Sequence, residues 1–469
     1  MMQNYASIDP VILPARDVKR RLIAHDNDSL FLKLFCGFMI AKPLIDLTWN
    51  YGINLGGAKL SLLAVSGAMV AVTGARVALS GRVKANSIVI LFYLFICCFF
   101  VSFLLSDYPI SKSMRVVDQL LRLMGNVAML FFGLVFAARR SLTGFATIIQ
   151  SVWIGINAAI FVNIVGMTLG WDSYGTSDGM DRINGLYYDA GVLGLIAVQN
   201  FAVCLYLPSL QGTARRKIPQ WMIYGSLLAS VVLMGMTISR IAIVLAGISM
   251  AVYVFMFSRT AGFQQAAFIF LLGTGGILYA FSENEFSRRF SAESEMLSQG
   301  VKQEVTFNRG SIDLGDFQRF GSNRGKVIED GLNEYLQGSF TAQLFGDFKF
   351  RTTHSDYVDI LGRFGFVGLA VYLSLLSNAL FALYRRSKII GKRYEKALVS
   401  LAVSFLLMYN CYSIPFRPLW YTTNSWYVWL FVGLVLGQRN GVLRYGGKKR
   451  KYTQASARAT AQNESLSRW

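Results

Sequence analysis

Twelve apolar runs, each about the 20 residues needed to cross a bilayer, govern what this chain can become. They cover residues 30–50, 60–80, 87–105, 116–137, 144–169, 190–209, 221–237, 239–258, 263–281, 358–384, 395–413 and 421–437. In hydrocarbon, backbone groups must be satisfied within the segment, so runs of this kind are expected to be helices. Glycines inside them, as in "LLGTGGILYAF", are tolerated in membrane helices. The expected fold class is therefore an all-α polytopic membrane protein of about twelve transmembrane helices.

Orientation follows from the short connectors. Lys and Arg crowd the two ends and the even-numbered connectors, in "RDVKRR", "RVALSGRVK", "RRK", "RRSKIIGKRYEK" and "KKRK". The odd connectors carry few. The positive-inside rule then puts both termini in the cytoplasm. A net charge of +20 over 469 residues is accounted for by this placement. No basic stripe with interleaved aromatics suggests nucleic acid. The five cysteines all sit in apolar runs, where they read as small hydrophobes rather than as disulfides or metal ligands. Residues 1–29 are polar and lack the features of a cleaved signal, so the first span is expected to direct insertion.

The chain divides into a cytoplasmic segment 1–29, spans one to nine over 30–281, an outer loop 282–357, spans ten to twelve over 358–437, and a basic tail 438–469. The loop is far longer than an ordinary connection. Within it, "SNRGKVIEDGLNEYLQ" offers Ser322 or Asn323 as a cap and repeats Val327, Ile328, Leu332, Tyr335 and Leu336 at helical spacing. An amphipathic helix is expected there.

Ionisable residues inside spans are costly and mark functional sites. Here they gather toward the outer ends: Lys42 and Asp46 in the first span, Asp118 and Arg122 in the fourth, Arg240 opening the eighth, and Asp356, Asp359 and Arg363 around the start of the tenth. A polar cavity open to the outer side is the reading this suggests, against scattered interfacial anchors. A transporter would keep its polar site near the midplane and often show paired broken helices. Neither feature is found.

Three stretches on the outer side carry chemistry: "DRINGLYYDAGVLG", "GMTISRIAIVLAG" and "THSDYVDILGRFGFVGL". Respectively they hold Arg-x-x-Gly before a span, Thr-x-Ser-Arg opening another, and a histidine followed by a Gly-x-x-Gly helix at the end of the long loop. In this order, over about residues 180 to 375, the chain resembles the O-antigen ligase and Wzy-type polymerase superfamily. The resemblance implies a GT-C-like fold in the bacterial inner membrane and a metal-independent glycosyltransferase with no cofactor. It implies oligosaccharides on undecaprenyl pyrophosphate as substrates, membrane lipid around the chain, a chain-length regulator protein as partner, and an active site on the periplasmic side. By the same resemblance Arg182, Arg240 and Arg324 bind pyrophosphate and His354 is catalytic. The chain departs from the pattern at Ser355, where Asn is common, at Arg363, where an acid is common, and in "KVIEDG", where a Trp is common.

The residue chemistry fits this reading. Arginine forks match phosphate oxygens and stay charged. A histidine can take the proton of an attacking sugar hydroxyl. Asp356 or Asp359 is the alternative base. Asp118, Arg122, Asp356, Asp359 and Arg363 are expected to line the cavity. The blander alternatives are that His354 caps a helix, Arg240 anchors at the interface, Arg182 pairs with Asp178 or Asp181, and Arg324 faces solvent. Between branches, a polymerase extending a lipid-linked repeat unit is expected ahead of an O-antigen ligase acting on lipid A-core. A lipid-linked sugar transporter or flippase is the alternative from another class.

Overall fold

The computed structural model describes residues 15–47, 52–55, 58–79, 86–106, 108, 113–139, 142–170, 186–187, 190–211, 214, 217–237, 239–257, 306–308, 311–313, 320–351, 353–390, 392–420 and 425–438. Helices dominate. In chain order they are α1 (Ala15–Leu47), α2 (Leu62–Leu79), α3 (Ser87–Leu105), α4 (Ser113–Arg139), α5 (Leu142–Thr168), α6 (Ala190–Leu210), α7 (Gln220–Met236) and α8 (Arg240–Val252). A π-turn, Tyr253–Phe257, prolongs α8. After it come α9 (Phe320–Gln337), α10 (Phe340–Phe345), α11 (Asp356–Ile389), α12 (Arg393–Tyr412) and α13 (Ser425–Gln438). Two antiparallel hairpins of very short strands, Gly52–Leu55 with Ala58–Ser61 and Thr306–Asn308 with Ser311–Asp313, were not foreseen from the sequence.

Five of the described helices are long and apolar enough to cross a membrane: Ser87–Leu105, Val116–Ala137, Gly144–Thr168, Gly191–Leu210 and Asp356–Ile389. Shorter apolar helices run over Val65–Val77, Gln220–Met236, Ile241–Phe257 and Ser425–Gln438. Each of the twelve expected spans except the ninth overlaps a helix; the ninth, 263–281, lies outside the described residues, as do 1–14 and 439–469. The helix holding the first span begins well before it, at Ala15, and the tenth is prolonged to Ile389.

Burial separates an inner layer from an outer one. Of the most apolar stretch of α6, 94% is buried within the protein, against 39% for α3 and 33% for α11. The latter two turn Ile90, Leu94 and Leu104, and Phe366, Leu373 and Phe381, outward. So extensive an apolar exterior suits lipid and suggests a membrane-embedded protein. At the centre, α13 buries Trp426, Tyr427, Trp429 and Phe431. It crosses α4 at Gly133 and Gly433, where a Cβ on either residue would strike the other helix's backbone. Small residues at a crossing let membrane helices approach this closely.

The long loop holds the expected amphipathic helix, α9, starting two residues before the anticipated cap. Its apolar positions Val327, Ile328, Leu332, Tyr335 and Leu336 are half-buried. Burial also pushes the Tyr335 phenol above its ordinary range, and its hydroxyl donates to the Gln343 carbonyl at 2.8 Å. The short helix α10 follows and packs on α11. There α11 is kinked at Gly365, with φ 67° and ψ −173°. Only glycine takes that conformation at little cost. The kink admits the Leu344–Gly346 backbone against the helix.

Candidate functional site

The polar residues converge where α11 begins. Asp356 and Asp359 occupy its first turn, where a carboxylate complements the unpaired amides of a helix start. Both are fully buried, yet both are hydrogen-bonded. Asp359 accepts from the Thr353 backbone N–H at 2.5 Å and the Thr353 hydroxyl at 2.8 Å through Oδ1. Its Oδ2 accepts from Arg417 Nη1 at 3.2 Å. Asp356 Oδ2 accepts from the Leu419 N–H at 2.8 Å and from the Ser413 hydroxyl at 3.3 Å. The Asp356 N–H donates to the Ser413 and Phe416 carbonyls, and the Ser355 hydroxyl donates to the Ser413 carbonyl.

These bonds tie the segment ahead of α11 to the turn after α12. Between buried Thr353 and buried Ser355, His354 is exposed at a bend. The imidazole is thus presented by a backbone that its neighbours hold from both sides. Such a frame fixes the backbone position from which the ring projects.

The loop helix covers the same segment. Gly331, a buried residue of α9, lies so close to Thr353 that a Cβ there would come 2.6 Å from the threonine methyl. Arg351 reaches back to Asp330 at 3.1 Å and to Glu334 at 3.3 Å. These two ion pairs are largely exposed and individually weak. The glycine contact is what sets the spacing.

A second polar cluster lies on α1 and α4. Lys42, fully buried, contacts the Asp46 carboxylate and stands over the Trp426 ring, 4.8 Å from its centroid. Arg122 pairs with Asp118 at 2.9 Å, one helical turn apart. Around them, Asp46 Oδ2, Gln119 Oε1, Tyr187 Oη and Tyr427 Oη are buried with no hydrogen-bond partner among the described residues. Buried polar atoms of this kind usually bond something. A weak bond from Asn126 Nδ2 to the Leu419 carbonyl, 3.5 Å long, links α4 to the turn that holds Asp356.

Packing places the remaining candidates by helix ends. The far end of α12, at Arg393, bonds Ser209 near the end of α6, and the π-turn ending α8 also packs on α12. Tyr253 lies within electrostatic reach of Arg393. The opposite ends, where α6, α8 and α11 begin, therefore share one face of the bundle. Arg240 opens α8 there, after buried Thr237 and Ser239, which pack on Gly194 of α6. Arg324 belongs to α9. The side chains of Arg240 and Arg324, and the whole of Arg182, lie outside the described residues.

The structure thus brings together His354, Asp356 and Asp359, with Arg363 near them, and puts Asp118 and Arg122 in the neighbouring cluster. Sequence reasoning missed Thr353, Ser413 and Arg417. The signal for Arg417 was its place between Pro415 and Pro418, which marks a fixed turn rather than a mobile connector. Among the described residues, no three His, Cys, Asp or Glu side chains gather as metal ligands would. None of the five cysteines forms a disulfide. No protein-family model matches this chain, and no curated protein matches it significantly.

Proposed function

We propose that the chain is a Wzy-type polysaccharide polymerase, a twelve-span, GT-C-like glycosyltransferase of the bacterial inner membrane acting on the periplasmic side. The observation that carries this reading is His354, exposed on a frame of buried hydrogen bonds. It stands at the end of the bundle where α6 and α8 also begin, the helices that carry or follow the Arg-x-x-Gly and Thr-x-Ser-Arg segments.

In the proposed reaction a hydroxyl of a lipid-linked repeat unit attacks the anomeric carbon of the growing glycan. The bond from that carbon to undecaprenyl pyrophosphate breaks, and the pyrophosphate leaves with the electron pair. His354 takes the hydroxyl proton, a step worth about 10²–10⁴ in rate. Arg182, Arg240 and Arg324 neutralise the departing pyrophosphate. Asp359, with both oxygens occupied, and Asp356, fully buried, serve as the frame rather than as the base.

Deleting the gene and analysing the cell's glycans tests the reading. A polymerase leaves single repeat units, restored to long chains by the wild-type gene but not by Arg240→Ala. Long chains stranded on the carrier lipid would instead indicate the ligase. Unchanged glycans of every length would reject both.

A further inference from the structure

Among the described residues, one buried cation near this site keeps a guanidinium nitrogen with no hydrogen bond. Arg363 lies two turns into α11, 6% exposed, and its Nε makes no hydrogen bond. The carboxylate within its electrostatic reach, Asp359, is already engaged on both oxygens, by Thr353 and by Arg417. The second charge within reach is another cation, Arg417, which is partly open to the exterior. What fixes Arg363 is its main chain: its carbonyl accepts from the Ser102 hydroxyl of α3 and abuts Gly346. A buried guanidinium nitrogen left without an acceptor costs stability, and a bound anion would remove that cost.

We propose that Arg363 and Arg417 form a phosphate-binding site, built on α11 and on the turn after α12, that takes a phosphate ester or a pyrophosphate. Arg363 stands one helical turn after Asp359 and Arg417 bonds Asp359, so two guanidinium groups gather near one carboxylate, and such forks suit the several oxygens of a phosphate. Among the described residues, the carboxylate near both is Asp359, already held by Thr353 and Arg417. Partly exposed Arg417 gives the route in, and Arg363 is the buried contact. The site uses residues other than Arg182, Arg240 and Arg324, and it does not require that the chain transfer sugars.

The test uses full-length protein purified in a neutral detergent, unfolded by heat with and without added phosphate. Inorganic pyrophosphate is one arm and phosphatidylglycerol the other, with sodium chloride at matched ionic strength and phosphatidylcholine as their controls. The wild type is expected to gain several degrees with pyrophosphate, with phosphatidylglycerol, or with both, since a ligand that binds only the native state stabilises it. The responding arm identifies a free phosphate or a lipid headgroup as the source.

Arg363→Met is expected to unfold at a higher temperature than the wild type without additive and to lose at least half of the shift. Arg363→Gln, which keeps a polar group and drops the charge, is expected to lose the shift equally. The variant His354→Ala is expected to keep it, so this result is independent of the transfer reaction. No response of the wild type in either arm overturns the proposal. A response retained beyond half in both Arg363 variants overturns it too. So does a lower unfolding temperature of both variants without additive, or their failure to fold, because Arg363 would then be structural.

Discussion

Asp359 Oδ2 and Arg417 Nη1 lie 3.2 Å apart, joining the first turn of α11 to a turn 58 residues later in the chain. The carboxylate is fully buried and the guanidinium a quarter exposed, so one side of this bond is costly to strand. Asp359→Ala removes the acceptor for Arg417 and for two groups of Thr353. It is expected to cost about 1–3 kcal/mol, chiefly for the buried Thr353 N–H left without its acceptor, since solvent reaches Arg417. Asp359→Asn, which can still accept from Thr353, is expected to cost less. Thermal unfolding in detergent measures both. Equal stabilities for the two variants would mean that the hydrogen bonds to Thr353 contribute nothing.

Gly331 leaves no room for a side chain against Thr353. Gly331→Val is therefore predicted to push the His354 segment off its frame. Misplacement by about 1 Å can slow a reaction by about 10²-fold. The turnover of lipid-linked repeat units at saturating substrate reads the effect, and an unchanged rate would separate α9 from the site.

The Lys42–Asp46 pair makes a prediction about the neighbouring cluster. Lys42→Met leaves Asp46, only 12% exposed, opposite an apolar chain and is expected to destabilise the protein by about 3 kcal/mol. Removing both charges, in Lys42→Met with Asp46→Leu, is expected to recover most of that loss, since apolar replacement of a buried pair is often neutral. A double variant no more stable than the single one would show that Lys42 matters for something other than its pairing with Asp46.

What could be read in advance was whatever depends on local pattern. Runs of apolar residues give helices because hydrocarbon offers the backbone no other partner, and the half-buried face of α9 follows from its spacing. The side-by-side placement of Asp118 and Arg122 needs only the period of a helix. Most of the missed features depend on contacts between distant parts of the chain. Gly365 could have sat in a straight helix; it kinks because Leu344–Gly346 occupies the space beside it. Asp356 and Asp359 looked alike in the sequence, because nothing there tells that Asp359 is held through both oxygens by Thr353 and Arg417 while Asp356 is held through Oδ2 by Leu419 and Ser413. The helix of the first span extends back to Ala15 through residues too polar to show an apolar run.

The most direct measurement is transfer by the purified protein in lipid nanodiscs, supplied with undecaprenyl-pyrophosphate-linked repeat units as the sole substrate. Wild-type protein is expected to build longer lipid-linked glycans and release undecaprenyl pyrophosphate, while folded His354→Ala runs about 10²–10⁴-fold slower. Glycan elongation by His354→Ala at the wild-type rate, or no elongation by the wild type, would contradict the account.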